Sequence, residues 1–360
     1  MNKLQKLTLL LLSMSLNPMY PQAAELPETF SRMELRHFGT MEDGSQIQQI
    51  TLRNRHGMEA RVITYGATLT AIELPTKGGG RINVIEGEET LQPYLKGFPA
   101  ASVIGRVANR IAGASFELDG VSYEVTRNAG RNHIHGGRKG FASVPWKASP
   151  MPLETSAAAV QLIYEARDGE EGFPGNLKTS VTYRLDDENA LSIAYEATTD
   201  KATPINLTNH AYFNLAESGG FEDHVLTLHA DTYTVAGADL IPTGEISHVE
   251  GTALDFRTPH PIGERADATQ PRPHLYDHNY IIRHGGDQMV PTAKVVEPLS
   301  GRVMHVLTDQ PGVQLYTGNP RGFCLETQHY PDSVHQPSFP STILRPGERF
   351  ASTTVYAFEF

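Results

Sequence analysis

The sequence predicts an all-β protein: one large antiparallel domain, a sandwich or a barrel, with few and short helices. Three observations predict it. From about residue 30 onward apolar and polar residues alternate instead of recurring at helical spacing. The 32 glycines and 24 prolines are scattered along 360 residues rather than gathered in one tract, the mark of many short strands joined by many turns. No internal repeat, low-complexity tract or linker divides the chain, and "GGG" at 78–80 is a turn.

The elements follow in order. Residues 1–24, "MNKLQKLTLLLLSMSLNPMYPQAA", place Lys3 and Lys6 before an apolar run over 7–16 and small residues at Ala23 and Ala24. This is the layout of a secretory signal peptide, and the run is too short to span a bilayer. The expected mature domain is therefore 25–360, exported to the bacterial periplasm or beyond and without a membrane segment once the leader is removed. "RVITYGATLTAIEL" (61–74) reads as a strand pair broken at Gly66. "GEETLQPYLKG" (87–97) holds one short helical turn ahead of Pro93. "SFELDGVSYEV" (115–125) is a hairpin, because Asp119 and Gly120 can both take positive φ. A second hairpin spans 177–199 around "DDEN". The stretches 224–236, 301–318 and 352–360 continue the alternation.

A formal charge of −11 argues against nucleic acid, which needs clustered Lys and Arg, and favours a neutral or cationic small-molecule substrate. Cys324 is the one cysteine, so there is no intramolecular disulfide and no cysteine-based zinc site. Phosphate loop, dinucleotide fingerprint and serine elbow are all missing.

Four polar clusters sit where a β protein would otherwise carry core or turn residues. "VIGRVANRIAGASF" (103–116) sets Arg106, Asn109 and Arg110 in an apolar frame. Such a group can hold hydroxyl or carboxylate oxygens, or simply bridge surface carboxylates. "NAGRNHIHGGRKGF" (128–141) carries His133 and His135 two apart, on one face if the segment is a strand, followed by glycines that allow close backbone approach. A metal pair needs further ligands, and no carboxylate follows nearby. "NLTNHAYFNL" (206–215) frames His210 with Asn206, Asn209 and Asn214, and buried amides must be hydrogen-bonded, so geometry is being fixed there. In "GVQLYTGNPRGFCLETQHYPD" (312–332), Gln314 and Glu326 enter from apolar strands, while "YDHNY" (276–280) adds Asp277 and His278. A carboxylate in such a strand is either paired or kept for use. Together these groups form the inventory of a sugar site: polar groups for hydroxyls, aromatic faces for C–H surfaces.

In order along the chain, "VIGRVANRIAGASFELDGVSYEVTRNAGRNHIHGG", "PINLTNHAYFNLA", "YDHNY", "PGVQLYTGN", "GFCLETQHYPD" and "LRPGERF" resemble the aldose 1-epimerase (galactose mutarotase) family, a likeness covering nearly the whole mature chain. The resemblance implies a large antiparallel β-sandwich of galactose mutarotase-like type with an open sugar cleft, no cofactor and no metal, acting on free aldoses as a monomer or homodimer. It implies Glu326 of "CLETQ" as general base and His210 of "LTNHAYFNL" as general acid. It implies His135 of "HGG" as the group that holds the ring oxygen and assists His210. Asn109, Arg110, Asp277 and Gln314 are implied as substrate contacts. The chain differs from the family pattern in the short link between "YTGN" and "GFCLETQ", where only Pro320 and Arg321 intervene, in His133 and Ile134 of "NHIHGG", and in "GFASVPW", which lacks an aspartate after "GF".

The chemistry needs these groups. Ring opening removes a proton from the C1 hydroxyl and delivers one to the ring oxygen, which requires a base and an acid on different sides. With unperturbed values of about 4.3 and 6.5, Glu326 is expected ionised and His210 protonated, each favouring the other's charge. Three other readings use the same residues: a lectin-like binding protein without turnover, an epimerase of phosphorylated hexose, and a metal-dependent hydrolase using His133, His135 and another histidine. The sequon Asn206-Leu207-Thr208 lies inside the expected site, which fits a bacterial rather than a glycosylating export route.

Overall fold

The computed structural model describes residues 30–360 except 153 and 287, so the expected leader lies outside the described residues. Ser31–Phe360 pack as one compact unit. Three large sheets dominate, and every pair of neighbouring strands in them is antiparallel, as the alternation predicts. The first is a five-stranded meander in chain order: Met33–Thr40, Gln46–Arg53, Glu59–Ile63, Thr68–Pro75 and Arg81–Asn83. The second has nine strands. Lys147–Pro150, Ala157–Ala166, Leu177–Asp186 and Ala190–Thr199 run in succession, followed by Phe350–Glu359, Val303–Thr308, Val290–Val296, Val225–Leu228 and His260–Pro261. The third orders Pro242–His248, Ala230–Ala236, Asp277–Ile282, Gly312–Asn319 and Gly322–Gln328.

All three sheets feed one apolar core. Ile50 and Leu52 come from the first, Val160, Val181, Tyr183 and Ile193 from the second, and Tyr280, Val313, Leu315 and Leu325 from the third. The molecule is a large β-sandwich.

The hairpins form where the turn chemistry places them. Ser115–Leu118 and Val121–Glu124 are joined by Asp119 and Gly120 at φ 53° and 77°. Leu177–Asp186 and Ala190–Thr199 turn through Asn189 at φ 60°. Two stretches that read as continuous are divided between sheets. Residues 224–236 break at His229, whose N–H donates to Thr292 of the nine-stranded sheet while its carbonyl accepts from Arg283 at the end of a third-sheet strand. Residues 301–318 break likewise across Asp309-Gln310-Pro311, with Val303–Thr308 in one sheet and Gly312–Asn319 in another. Alternation continues through both breaks, so period alone does not reveal them. The one α-helix among the described residues, Leu91–Lys96, runs through Pro93 rather than ending before it. Proline falls in the first turn, where the missing N–H has no intrahelical acceptor to satisfy.

The third sheet positions the chemistry. In Gly322–Gln328, Phe323, Leu325 and Thr327 project to one face and Cys324, Glu326 and Gln328 to the other. Phe323 and Leu325 are 0% and 1% exposed, each worth about 1.5–3 kcal/mol on burial. A one-residue slip would trade them for Cys324 and Glu326, so the apolar face locks the register that aims the carboxylate.

Candidate active site

Glu326 stands between two supports. Its Cα register partner on the adjacent strand is Gln314, whose own partner on the next strand is Asn279. Across the cleft, residues 203–214 form a strap. Thr208–Asn209 pairs with Val103–Ile104, the backbone of His210 bonds to Ala101 and Ser102, and Phe213 exchanges two backbone bonds with Phe323 at 2.7 and 3.1 Å. The strap brings His210 Nε2 to 3.6 Å from Glu326 Oε1.

The asparagines do not touch the His210 ring. Asn206 is tied to His329, Asn209 to Ala101 and Asn214 to Gly219, so they stitch the strap's backbone to its surroundings. The ring is held by other groups: Cys324 Sγ lies 3.4 Å from Nδ1, and Phe98 and Tyr212 each pack with centroids 5.0 Å away. Asn206 is 1% exposed, so the folded protein hides this sequon asparagine from any glycosylating enzyme.

The two histidines of the "HIH" stretch part company. The strand is only His133–Ile134, and His135 takes φ +52°, turning its ring away from the face that His133 occupies. His133 is fully buried against Phe173 with Nδ1 on the carbonyl of Thr126. His135 faces the cleft, its ring 5.3 Å from that of His210 at 84°. Gly136 follows at φ +79°, and a Cβ there would lie 1.8 Å from the Gly105 carbonyl, so this close approach requires glycine.

His135 Nδ1 accepts the backbone N–H of Asn109 at 3.2 Å. A neutral imidazole has one N–H, which must then sit on Nε2. Burial, with His210 and Arg110 nearby, holds this ring well below the usual histidine range. His135 is thus a neutral donor. His135, His210 and Glu326 bring ligand atoms within 4.8 Å of one another, His210 and Glu326 coming from distant parts of the chain and His133 taking no part. They do not suit a metal: the Nδ1 lone pair of His135 is taken and its Nε2 carries the proton a metal would have to displace.

The remaining expected contacts are brought together with one exception. Asn109 sits at φ +59°, and its Oδ1 accepts from the Arg110 backbone N–H and guanidinium. Arg110 reaches Asp277 Oδ2 at 3.4 Å. Asn109, Arg110, His135, His210, Asp277 and Glu326 all line one cleft of about 320 Å³, within the ~300–1,000 Å³ of small-molecule sites. Gln314 does not line it. It lies behind, 3% exposed, and its Nε2 donates to Asp277 Oδ1 at 2.6 Å.

Arg106 is elsewhere too, buried against the carbonyls of Pro174 and Gly175 and the Thr203 hydroxyl, where burial lowers its pKa to about 10. His278 bonds Gln270 and ties down the loop before Asp277. Residues that sequence reasoning missed complete the wall: Phe98, Tyr212, Arg272, Leu275 and Tyr316. The tyrosines stood inside the quoted motifs and were legible as aromatic faces. Phe98, Arg272 and Leu275 come from irregular segments and gave no signal.

Electrostatics alter one expectation. Glu326 is 2% exposed, and burial together with Asp277 pushes its carboxyl well above the usual range despite Arg110. Burial pulls His210 down to about 4. In the sugar-free cleft burial thus works against an ion pair, favouring the protonated carboxyl and the neutral imidazole. Desolvation of both groups outweighs their attraction across 3.6 Å.

Comparisons with known proteins place the chain among relatives. Residues 48–357 match the family model for aldose 1-epimerase. The chain belongs to the aldose 1-epimerase family. It is 43% identical to human galactose mutarotase over 318 residues, 82% of this chain and 90% of that one. It is 35% identical to aldose 1-epimerase of Escherichia coli over 338 residues, 88% and 96% of the two chains. Among solved structures, galactose 1-epimerase of Lactobacillus acidophilus superposes with a TM-score of 0.80 at 30% identity, covering 91% of this chain and 98% of that one. This member of the family is an isomerase, an aldose 1-epimerase.

Proposed function

We propose that the cleft exchanges the α and β anomers of free hexoses, glucose and galactose foremost, through acid–base ring opening by Glu326 and His210. The observation that carries the reading is their placement on facing segments, 3.6 Å apart in one small-molecule cleft. One proton serves the pair. Sugar hydroxyls entering the cleft supply the hydrogen bonds that a buried carboxylate lacks, and these draw the proton from Glu326 to His210. Ionised Glu326 takes the C1 hydroxyl proton while His210 gives its own to the ring oxygen. After rotation about C1–C2 the transfers reverse and the ring closes on the other face. His135 steadies the ring oxygen as a neutral donor. It cannot replace His210 as the acid, because releasing Nε2–H would leave an anion. Asn109, Arg110 and Asp277 hold hydroxyls, and Gln314 holds Asp277.

Polarimetry on freshly dissolved sugar tests the assignment. Glu326→Gln and His210→Asn are each expected to slow anomer equilibration about 10²–10⁴-fold, the usual worth of such groups. Near-normal rates in either variant refute it.

We further infer export to a bacterial periplasm or medium, supported by the charged and apolar layout of residues 1–24, with 25–360 as the mature domain. Among the described residues no helix is long and apolar enough to cross a membrane. All the groups named above come from one chain, so the chemistry serves a monomer and a homodimer alike.

A further inference from the structure

Behind the cleft the third sheet carries further polar groups, in a row with Glu326, that the reaction does not use. On the face bearing Glu326, the register places Asn279 beside Gln314 and Gln314 beside Glu326. One step along each strand, Ile281 stands beside Gly312 and Gly312 beside Gln328. Asn279, Gln314, Glu326 and Gln328 are 3%, 3%, 2% and 0% exposed. Five of their polar atoms have no hydrogen-bond partner among the described residues: Glu326 Oε2, Gln314 Oε1, Asn279 Oδ1, and both Oε1 and Nε2 of Gln328.

Orphaned buried groups at this density are rare in native proteins and cost about 1–3 kcal/mol each when nothing satisfies them. Their chemistry identifies what is missing. Gln314 cannot be flipped, because its Nε2 is committed to the Asp277 carboxylate, so its Oε1 must accept. Glu326 Oε2 accepts when ionised. With Glu326 ionised, as the base must be, these two acceptors on register partners have no donor between them. Gln328 offers one donor to the row and a further acceptor. Gly312 lies at the centre of this face: a Cβ there would lie 2.7 Å from Asn279 Oδ1, 3.1 Å from the Tyr330 ring and 3.2 Å from the Gln328 carbonyl, so any side chain there would crowd the amides. In that ionised state a small molecule that donates more than one hydrogen bond fits the row.

We propose that Gln314, Asn279 and Gln328 form a buried hydration site, a short file of ordered water that donates to Glu326 Oε2 from behind while the sugar is handled in front at Oε1. A buried water typically makes about three hydrogen bonds, and this row provides that many without another side chain. The file gives the base a polar partner that does not leave when the sugar does. It rests on the reading of Glu326 as the base. The charged and titratable groups around that carboxylate are Asp277, Arg110, His210, His135, Cys324, Tyr212, Tyr316 and Tyr356, and none of them bonds Oε2.

Two measurements test it. A crystal structure of the sugar-free protein at atomic resolution should show a water within hydrogen-bond distance of both Glu326 Oε2 and Gln314 Oε1, continued toward Asn279 and Gln328. Gln328→Leu should then move the acid limb of the pH–rate profile upward by about one unit, a roughly tenfold loss of rate on that limb. KM should stay within about twofold and thermal melting should report an intact fold. Gln328→Asn, which keeps the amide and leaves room for another water, should restore the limb. A dry interior, a bound cation in place of water, or an unmoved limb in Gln328→Leu overturns the proposal. Glu326→Gln run in parallel separates the failures: if that variant keeps its rate, the base assignment falls, whatever the water density shows.

Discussion

Gln314 offers the sharpest test of how the cleft is supported. Its resemblance-based role is sugar contact, yet it lies behind Asp277 and donates at 2.6 Å to a carboxylate whose other oxygen is 3.4 Å from Arg110. Gln314→Leu keeps a buried side chain of similar size and removes that bond. A hydrogen bond to a charged group is worth about 1.5–3 kcal/mol, so the variant should lose roughly 10–100-fold in kcat/KM if all of it is expressed in the sugar complex. A double-mutant cycle with Asp277→Ala, followed by polarimetry or a coupled assay specific for one anomer, locates the effect. If Gln314 works through Asp277, then Gln314→Leu should cost no more than about twofold once Asp277 is gone, a shortfall from additivity matching most of the single-variant loss. Additive losses would mean that Gln314 grips the sugar directly and would refute the supporting role.

Other expectations follow from the same geometry. Glu326→Gln should melt no lower than the parent at pH 7, and its advantage should shrink toward pH 4. A carboxyl whose folded value is raised favours folding while protonated and loses that contribution as pH climbs above its unfolded value. His210, drawn down to about 4, works in the opposite sense: its contribution to stability is present above about pH 6.5 and is lost toward pH 4, so His210→Asn should flatten the stability profile in that window on calorimetry. Cys324→Ala removes a polar partner of His210 Nδ1, at 3.4 Å, and should slow turnover about tenfold with little change in KM. A KM effect without a kcat effect would show that the thiol does not steady the acid.

Much of this architecture is legible along the chain because a strand side chain has two choices of face. "GFCLETQ" announces that Glu326 opposes Phe323 and Leu325. "DG" and "DDEN" announce their turns through residues able to take positive φ. Where the reading went astray, a single backbone angle or a tertiary contact had intervened. His133 and His135 would share a face in a longer strand, but φ +52° at His135 ends it. His229 passes the chain from one sheet to another within one residue, leaving the alternation intact. The charge state of the Glu326–His210 pair depends on how completely the folded chain excludes water from both groups, which pattern does not encode. Phe98 and Arg272 reach the cleft from segments without period, so only folding reveals them.

The paired backbone bonds between Phe213 and Phe323 have an engineering consequence. His210 lies three residues before the first and Glu326 three after the second, so a peptide clamp sets the gap between these two side chains. Phe98, 49% exposed, and the exposed Arg272 stand on the rim, outside that clamp. Arg272 therefore offers a place where the rim can be redrawn without disturbing that spacing, whereas Phe98, packed on the rings of His210 and His135, is tied to it.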